Sequence, residues 1–236
     1  MVQHISVRSS KSESGIETAC LLYNLRQTSY TDALNQQIRL HALCASGEIP
    51  GALILLEHDP VITMGVRSQP ANILASPEKL ARLGIELVPI DRGGDVTYHG
   101  PGQLVGYPIM RLSTVGGDVH AYLRALEQTV IDTLAKFGLS GYRNPPAGVW
   151  VAGKKVCSIG IAVRKRTTYH GFALNVNPDM SGFALINPCG LNASELTSMA
   201  ELLGSAPDMD LVRTAYMNSF AKVFGLKLYP ACKITH

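Results

Sequence analysis

Residues 149–151, 156–163 and 167–176 form three runs rich in β-branched, aromatic and small apolar residues, the first two parted by Gly153 and two lysines. Such runs suit a pleated, half-buried surface and read as a hairpin that continues into a third strand. The segments on either side carry helical spacing instead. Helices therefore bracket a strand-rich middle, which argues against alternating βα units and predicts an α+β fold, a mixed β-sheet flanked by helices.

The spacing predicts a helix over 31–45, with Leu34, Ile38, Ala42 and Ala45 on one side and Ser29 or Thr31 as its cap. Residues 52–56 are a short apolar run between Pro50-Gly51 and His58-Asp59-Pro60 and predict a buried strand, with a strand–turn–strand theme continuing through 61–64. Ser76-Pro77-Glu78 provides a cap, a first-turn proline and an acid for a short helix that Gly84 closes, ahead of strands over 85–90 and 104–110. Asp118 opens the most regular helix, with Val119, Leu123, Leu126, Val130, Leu134 and Phe137 on one side and Gly138 at its end. Two more helices are predicted, near 196–203 and 211–224.

At 236 residues, with 46% hydrophobic and 17% charged residues, the chain can bury a sizeable core; we expect one domain over 16–236 behind a polar extension over 1–15. A formal charge of +3, spread along the chain, gives no electrostatic case for a nucleic-acid or membrane surface. Cysteines at 20, 44, 157, 189 and 232 are an odd set without a CxxC pair, which suggests neither a disulfide framework nor a zinc ribbon and fits a reducing compartment. No apolar run reaches the ~18 residues of a membrane span, and a cytoplasmic protein is expected. Arg8, Lys11 and the serines of the extension resemble a transit segment in composition, against which Glu13 and Glu17 stand.

Three stretches carry chemistry. Residues 92–103, RGGDVTYHGPGQ, put four glycines and a proline between two predicted strands, so backbone can approach a ligand while Arg92, Thr97, Tyr98 and His99 supply polar groups. A long structural turn is the plain alternative, and no GxxxxGK[ST] pattern makes it a nucleotide loop. In KKVCSIG, residues 154–160, strand alternation puts Lys155, Cys157 and Ile159 on one face, where Lys155 is either an edge gatekeeper or the partner of an anion. In INPCGL, residues 186–191, Pro188 and Gly190 set Cys189 on a tight turn, unlike Cys20, Cys44 and Cys232, which read as small core residues. A thiol with a reference pKa of ~8.5 is ionised more readily beside an ammonium, so Lys155 is a candidate activator of Cys189. Only the fold decides whether the two meet.

At these stretches, and in TTYHGFALNVN at 167–177, the chain resembles the octanoyltransferase family of lipoate synthesis; weaker similarity includes LLEHDPV at 55–61, and the whole likeness runs from Tyr30 to Thr197. The resemblance implies a fold similar to the catalytic domains of biotin and lipoate protein ligases, with no cofactor. It implies octanoyl-acyl carrier protein as donor and, as acceptors, lipoyl domains of 2-oxoacid dehydrogenases and the glycine cleavage H protein, in the first step of endogenous protein lipoylation. Residue by residue, it puts the acyl-carrying cysteine on Cys189 and its lysine on Lys155. Contacts to the acyl substrate fall on Arg92, Gly93, Gly94, Asp95, Val96, Thr97, Tyr98 and His99, on Ser158, Ile159 and Gly160, and on Gly171, Phe172 and Ala173. Cys157 stands where the family often has alanine, and residues 1–15 have no clear counterpart.

The implied reaction is two acyl transfers, thioester to thioester and then thioester to amide, which need no ATP. Burying six methylenes is worth about 5 kcal/mol at ~0.8 each, so a slot of fixed depth, with Phe172 and Ile159 as candidate walls, can select by length. Other readings use the same residues: an ATP-dependent lipoate- or biotin-type ligase, a thioester hydrolase pairing Cys189 with His99 or His170, and a non-catalytic binder of acylated domains. ATP dependence, release of free acid and the absence of a covalent mass shift distinguish them in turn. His99, His170 and Cys189 lack the short spacing of a metal site, and none is expected.

Overall fold

The computed structural model describes residues 18–231, with the backbone alone at Cys189; the polar extension over 1–15 and Cys232 lie outside the described residues. β1 (Thr18–Thr28) leads to Ser29, whose hydroxyl accepts from Asp32 N at 3.1 Å and caps α1 (Tyr30–Ser46). β2 (Gly51–His58) and β3 (Val61–Met64) follow, then α2 (Pro77–Arg82), capped by Ser76 as its sequence requires. β4 (Glu86–Pro89), β5 (Val96–His99) and β6 (Gln103–Met110) precede α3 (Val119–Ala135), whose first turn is held by the Asp118 carboxylate. β7 (Tyr142–Arg143), β8 (Gly148–Val151), β9 (Lys154–Arg164) and β10 (Thr167–Asn175) complete the strand-rich middle, and α4 (Met199–Leu203), α5 (Met209–Phe224) and β11 (Leu226–Pro230) end the described chain.

Eight strands form one sheet in the order β11-β1-β2-β6-β10-β9-β8-β7, and β4-β3-β5 form a second. β1 pairs parallel with both β2 and β11, and β3 with β4, whereas the other ladders are antiparallel, so the mixed sheet flanked by helices is the observed architecture. β2 and β6 are almost wholly buried, which explains why they read as continuous apolar runs and not as alternating ones. α1 packs on one face, where Ala33, Leu40 and Cys44 meet Ile54, Tyr107 and Ala173. α3 and α5 cover the other, where Leu126, Val130, Tyr216 and Phe220 meet Leu53, Leu55 and Phe172.

Residues 61–64 are the expected strand and form the centre of the small sheet. Two expectations need correction. α1 buries Ala33, Gln36, Gln37, Leu40 and Cys44, while Ile38 is 55% exposed; the helix turns a polar stripe inward because Gln37 Oε1 accepts from His170 N at 2.9 Å. The helix expected from 196 begins only at Met199, because Leu196 bridges to Lys155 in extended form. β1 and β11, at one edge of the sheet, carry no strong sequence signal.

Arg213 ties these layers together. Its side chain, 4% exposed, leaves α5 to reach Glu57 Oε1 at 3.0 Å, Asn24 Oδ1 at 3.1 Å and Leu25 O at 3.0 Å, while Glu57 Oε2 accepts from Gly102 N at 2.9 Å. Removing one partner of a largely buried pair leaves the other uncompensated. Arg213→Ala is expected to lower stability by about 3 kcal/mol, measured as a lower midpoint in chemical denaturation.

Candidate active site

A cleft of about 290 Å³ lies between β5 of the small sheet and β9–β10 of the large one. Glycines make it possible. A Cβ on Gly160 would stand 2.9 Å from Gly93 O, and one on Gly171 would stand 2.1 Å from Gly106 O. The glycine-rich segment is fastened to β9 by Gly93 N donating to Ile161 O at 2.9 Å, and its Arg92 guanidinium donates to Thr63 O, Thr63 Oγ1 and Gly93 O.

Strand alternation in the sequence does not predict what a bulge decides. The register shifts between β8 and β9, Trp150 pairing with Lys155 and Val149 with Cys157. An extra residue on one strand re-aims the side chains beyond it. Lys155 therefore joins Ser158 and Gly160 in lining the cleft, whereas Cys157 enters the core on the other face. The expected common face of Lys155 and Cys157 is thus divided. Lys155 is only 3% exposed, and its Cε lies 2.7 Å from where a Cβ on Gly148 would be.

The segment that carries Cys189 forms another wall. Pro188–Gly190 is a single 3₁₀ turn, Gly190 has φ 75°, and Pro188, Leu191 and Leu196 all line the cleft with Lys155. Hydrogen bonds hold this wall to β9 and β10: Thr197 N donates to Lys155 O at 3.0 Å, Asn175 Nδ2 to Thr197 O at 3.0 Å, and Gln103 Nε2 to Asn175 Oδ1 at 3.0 Å. With its amide nitrogen so engaged, Gln103 offers Oε1 to His99 Nδ1 at 3.1 Å. The network thus runs from the Lys155 backbone to the His99 ring.

Burial, with His58 and Arg92 nearby, lowers the His99 pKa to about 3, and burial lowers that of His58 to about 4, so both rings are neutral. His58 donates from Nδ1 to Thr28 O at 2.9 Å and accepts from the Tyr107 hydroxyl at 2.6 Å, which steadies the cleft-lining Tyr107. Among the described thiols, burial pushes Cys20 up to about 12 and Cys157 higher still. Both are inert as nucleophiles.

Of the residues singled out in the sequence, Arg92, Gly93, Gly94, Val96, Thr97, His99, Lys155, Ser158, Ile159, Gly160, Gly171, Phe172 and Ala173 line the cleft. Asp95 and Tyr98 do not. Asp95 accepts from Val96 N and Gln69 N and so shapes the loop, and the Tyr98 ring packs edge-on against Phe183 under Gly182. Tyr30, Tyr107, Leu123 and His170 line the cleft without having been assigned there. The sequence offers His170 only as a hydrolase partner of Cys189, although Gly171, Phe172 and Ala173 beside it in the motif are assigned to the acyl substrate. Ile159 N and Leu191 N are engaged by Ala147 O and Pro188 O, which removes two backbone donors from consideration for an oxyanion.

The lipoyl protein ligase A/B catalytic domain matches residues 29–221. An octanoyltransferase of Caldicellulosiruptor saccharolyticus is 47% identical over 206 residues, covering 86% of this chain and 88% of the relative, and one of Chloroflexus aggregans is 47% identical over 210 residues, covering 87% and 95%. In fold, the chain is similar to a lipoate-protein ligase A bound with ATP, at a TM-score of 0.73 with 18% identity, over 92% of this chain and 90% of that one. The fold is thus shared with ligases, but near-half identity over almost the full length is shared with transferases, and the chain belongs to the octanoyltransferases, acyltransferases built on the lipoyl protein ligase A/B catalytic domain.

Proposed function

We propose that this chain takes an octanoyl group from octanoyl-acyl carrier protein onto Cys189 and passes it to a lysine of lipoyl domains, those of 2-oxoacid dehydrogenases and the glycine cleavage H protein, in the cytoplasm. The observation that carries the reading is the meeting of Lys155 with Pro188 and Leu191, the neighbours of Cys189 in sequence, in the walls of one cleft. The reading also rests on the family.

In the first step the Cys189 thiolate attacks the donor thioester carbonyl; a new C–S bond forms, the donor C–S bond breaks, and the carrier thiol leaves with a proton from Lys155. In the second, the neutral Lys155 amine takes a proton from the incoming lysine ammonium, whose reference pKa is ~10.4. The freed amine attacks the acyl-enzyme carbonyl, the C–S bond to Cys189 breaks as the amide C–N bond forms, the second proton of the amine passes to water, and Cys189 departs as thiolate paired with the Lys155 ammonium. Ser158, Gly160, Gly171, Phe172 and Ala173 contact the acyl chain, and Arg92, Gly93, Gly94, Val96, Thr97 and His99 close the slot over it. Asp95 and Tyr98 act by shaping the loop.

No step consumes ATP, which separates this reaction from that of a ligase on the same fold. The test is transfer to a purified lipoyl domain from octanoyl-acyl carrier protein with and without ATP; a requirement for ATP would sink the proposal. Lys155→Ala is expected to slow both the charging of Cys189 and its discharge by at least about a hundredfold, measured by quenched intact-mass time courses of each half-reaction.

A further inference from the structure

The cleft has a polar end. His170 lines it, is 1% exposed, and has a left-handed φ of 55° that brings its ring to the side of Tyr169. Both side chains meet Asp91, which is itself 63% exposed: His170 Nε2 lies 2.9 Å from Oδ1, and the Tyr169 hydroxyl donates to Oδ2. A carboxylate only accepts, so the proton of the neutral ring is on Nε2 and Nδ1 presents a lone pair. That Nδ1 is buried and has no hydrogen-bond partner among the described residues. A buried acceptor without a partner in a cleft wall points to a ligand group or a water that fills the position. A residue held in this backbone region is also a recognised mark of function.

The pairing of β9 with β10 measures how far this end is from Lys155. Ser158 pairs with Ala173, Gly160 with Gly171 and Ile161 with His170. At about 3.3 Å per residue, Gly160 lies roughly 16 Å along β9 from Lys155 and Ile161 roughly 20 Å. A lysine side chain and an extended octanoyl chain together span about 15 Å, from ordinary bond lengths. Eight carbons therefore end just short of the Gly160–Gly171 pair. Two more carbons add about 2.5 Å, to about 17.5 Å, which carries the chain end past the glycine pair and within about 2.5 Å of the level of His170.

We propose that His170, oriented by Asp91, sets the upper limit of acyl length through polarity: a methyl beyond the glycine pair strips water from the bare Nδ1 and returns no hydrogen bond. The inference rests on the octanoyl-transfer reading and deepens it. A wall of atoms would reject every longer chain alike, whereas a polar stop spares a long chain that ends in a donor.

The experiment offers the full-length protein octanoyl-, decanoyl- and 10-hydroxydecanoyl-acyl carrier protein in competition, with a lipoyl domain as acceptor and intact mass as readout. Decanoyl is expected to trail octanoyl by about tenfold, and 10-hydroxydecanoyl to outrun decanoyl by about tenfold, the cost of one unpaired buried acceptor. In His170→Leu the order of the two ten-carbon chains is expected to reverse. Equal rejection of decanoyl and 10-hydroxydecanoyl by the unaltered protein, or transfer of decanoyl as fast as octanoyl, overturns the inference. Because that comparison needs no variant, it stands even where His170→Leu fails to fold. Transfer of no acyl group at all would instead remove the octanoyl-transfer reading, and this inference with it.

Discussion

Cys189→Ser is expected to abolish the octanoyl adduct on the protein and to reduce transfer to a lipoyl domain by on the order of 10³-fold or more, because a hydroxyl is far less ionised than a thiol beside the same lysine. Intact mass after incubation with octanoyl-acyl carrier protein reads the first effect, and acylation of the domain reads the second. The assay is interpretable because the described alternatives are poor nucleophiles: Cys20, Cys44 and Cys157 are buried, and Cys157 lies on the core face of β9 although two residues from Lys155 in sequence. Peptide mapping of the adduct excludes Cys232. An adduct of undiminished yield on Cys189→Ser would mean that another group carries the acyl chain, and the two-step mechanism would fall.

Gly148→Ala should be nearly as damaging, though it replaces neither proposed catalytic group. Gly148 has φ 149°, and an added Cβ would lie 2.1 Å from Cys157 O and 2.7 Å from Lys155 Cε. Real Cβ atoms do not come so close, so β8 must part from β9 at the bulge or Lys155 must leave the cleft wall. Overpacking of this kind costs about 1–3 kcal/mol, and displacing the general base should lower transfer by about a hundredfold or more. Gly153→Ala is the control in the same hairpin. Its φ of 81° strains alanine, but the Cβ enters open space, so about 1 kcal/mol of stability is lost and activity remains. If Gly148→Ala retained full transfer while folded, the placement of Lys155 would not matter to the chemistry.

Ser29, Ser76 and Asp118 announced their helices because a cap is a local bond between a side chain and the next turn, complete within four residues. The β2 and β6 strands were legible as unbroken apolar runs between turn residues, since strands buried on both faces need no polar alternation. α1 misled because its inward stripe includes Gln36 and Gln37, and burying an amide makes sense only once β10 presents a partner to it. Residues 61–64 were legible as a strand, but their place in the small sheet was not, for strand character says nothing about the neighbour.

The order of residues by itself determined the strand-rich middle, the helix caps, and the glycine and cysteine motifs by which the chain resembles its family. Tertiary structure alone decided that Lys155 and Cys157 part company at a bulge, that Asp95 and Tyr98 do not line the cleft, and that His170 does, with an Nδ1 unpaired among the described residues. The physical reason is range: caps, turns and periodicity are settled by contacts a few residues apart, whereas strand register, sheet membership and the partner of a buried polar atom are settled by segments 50 or 130 residues away, such as Gln37 for His170.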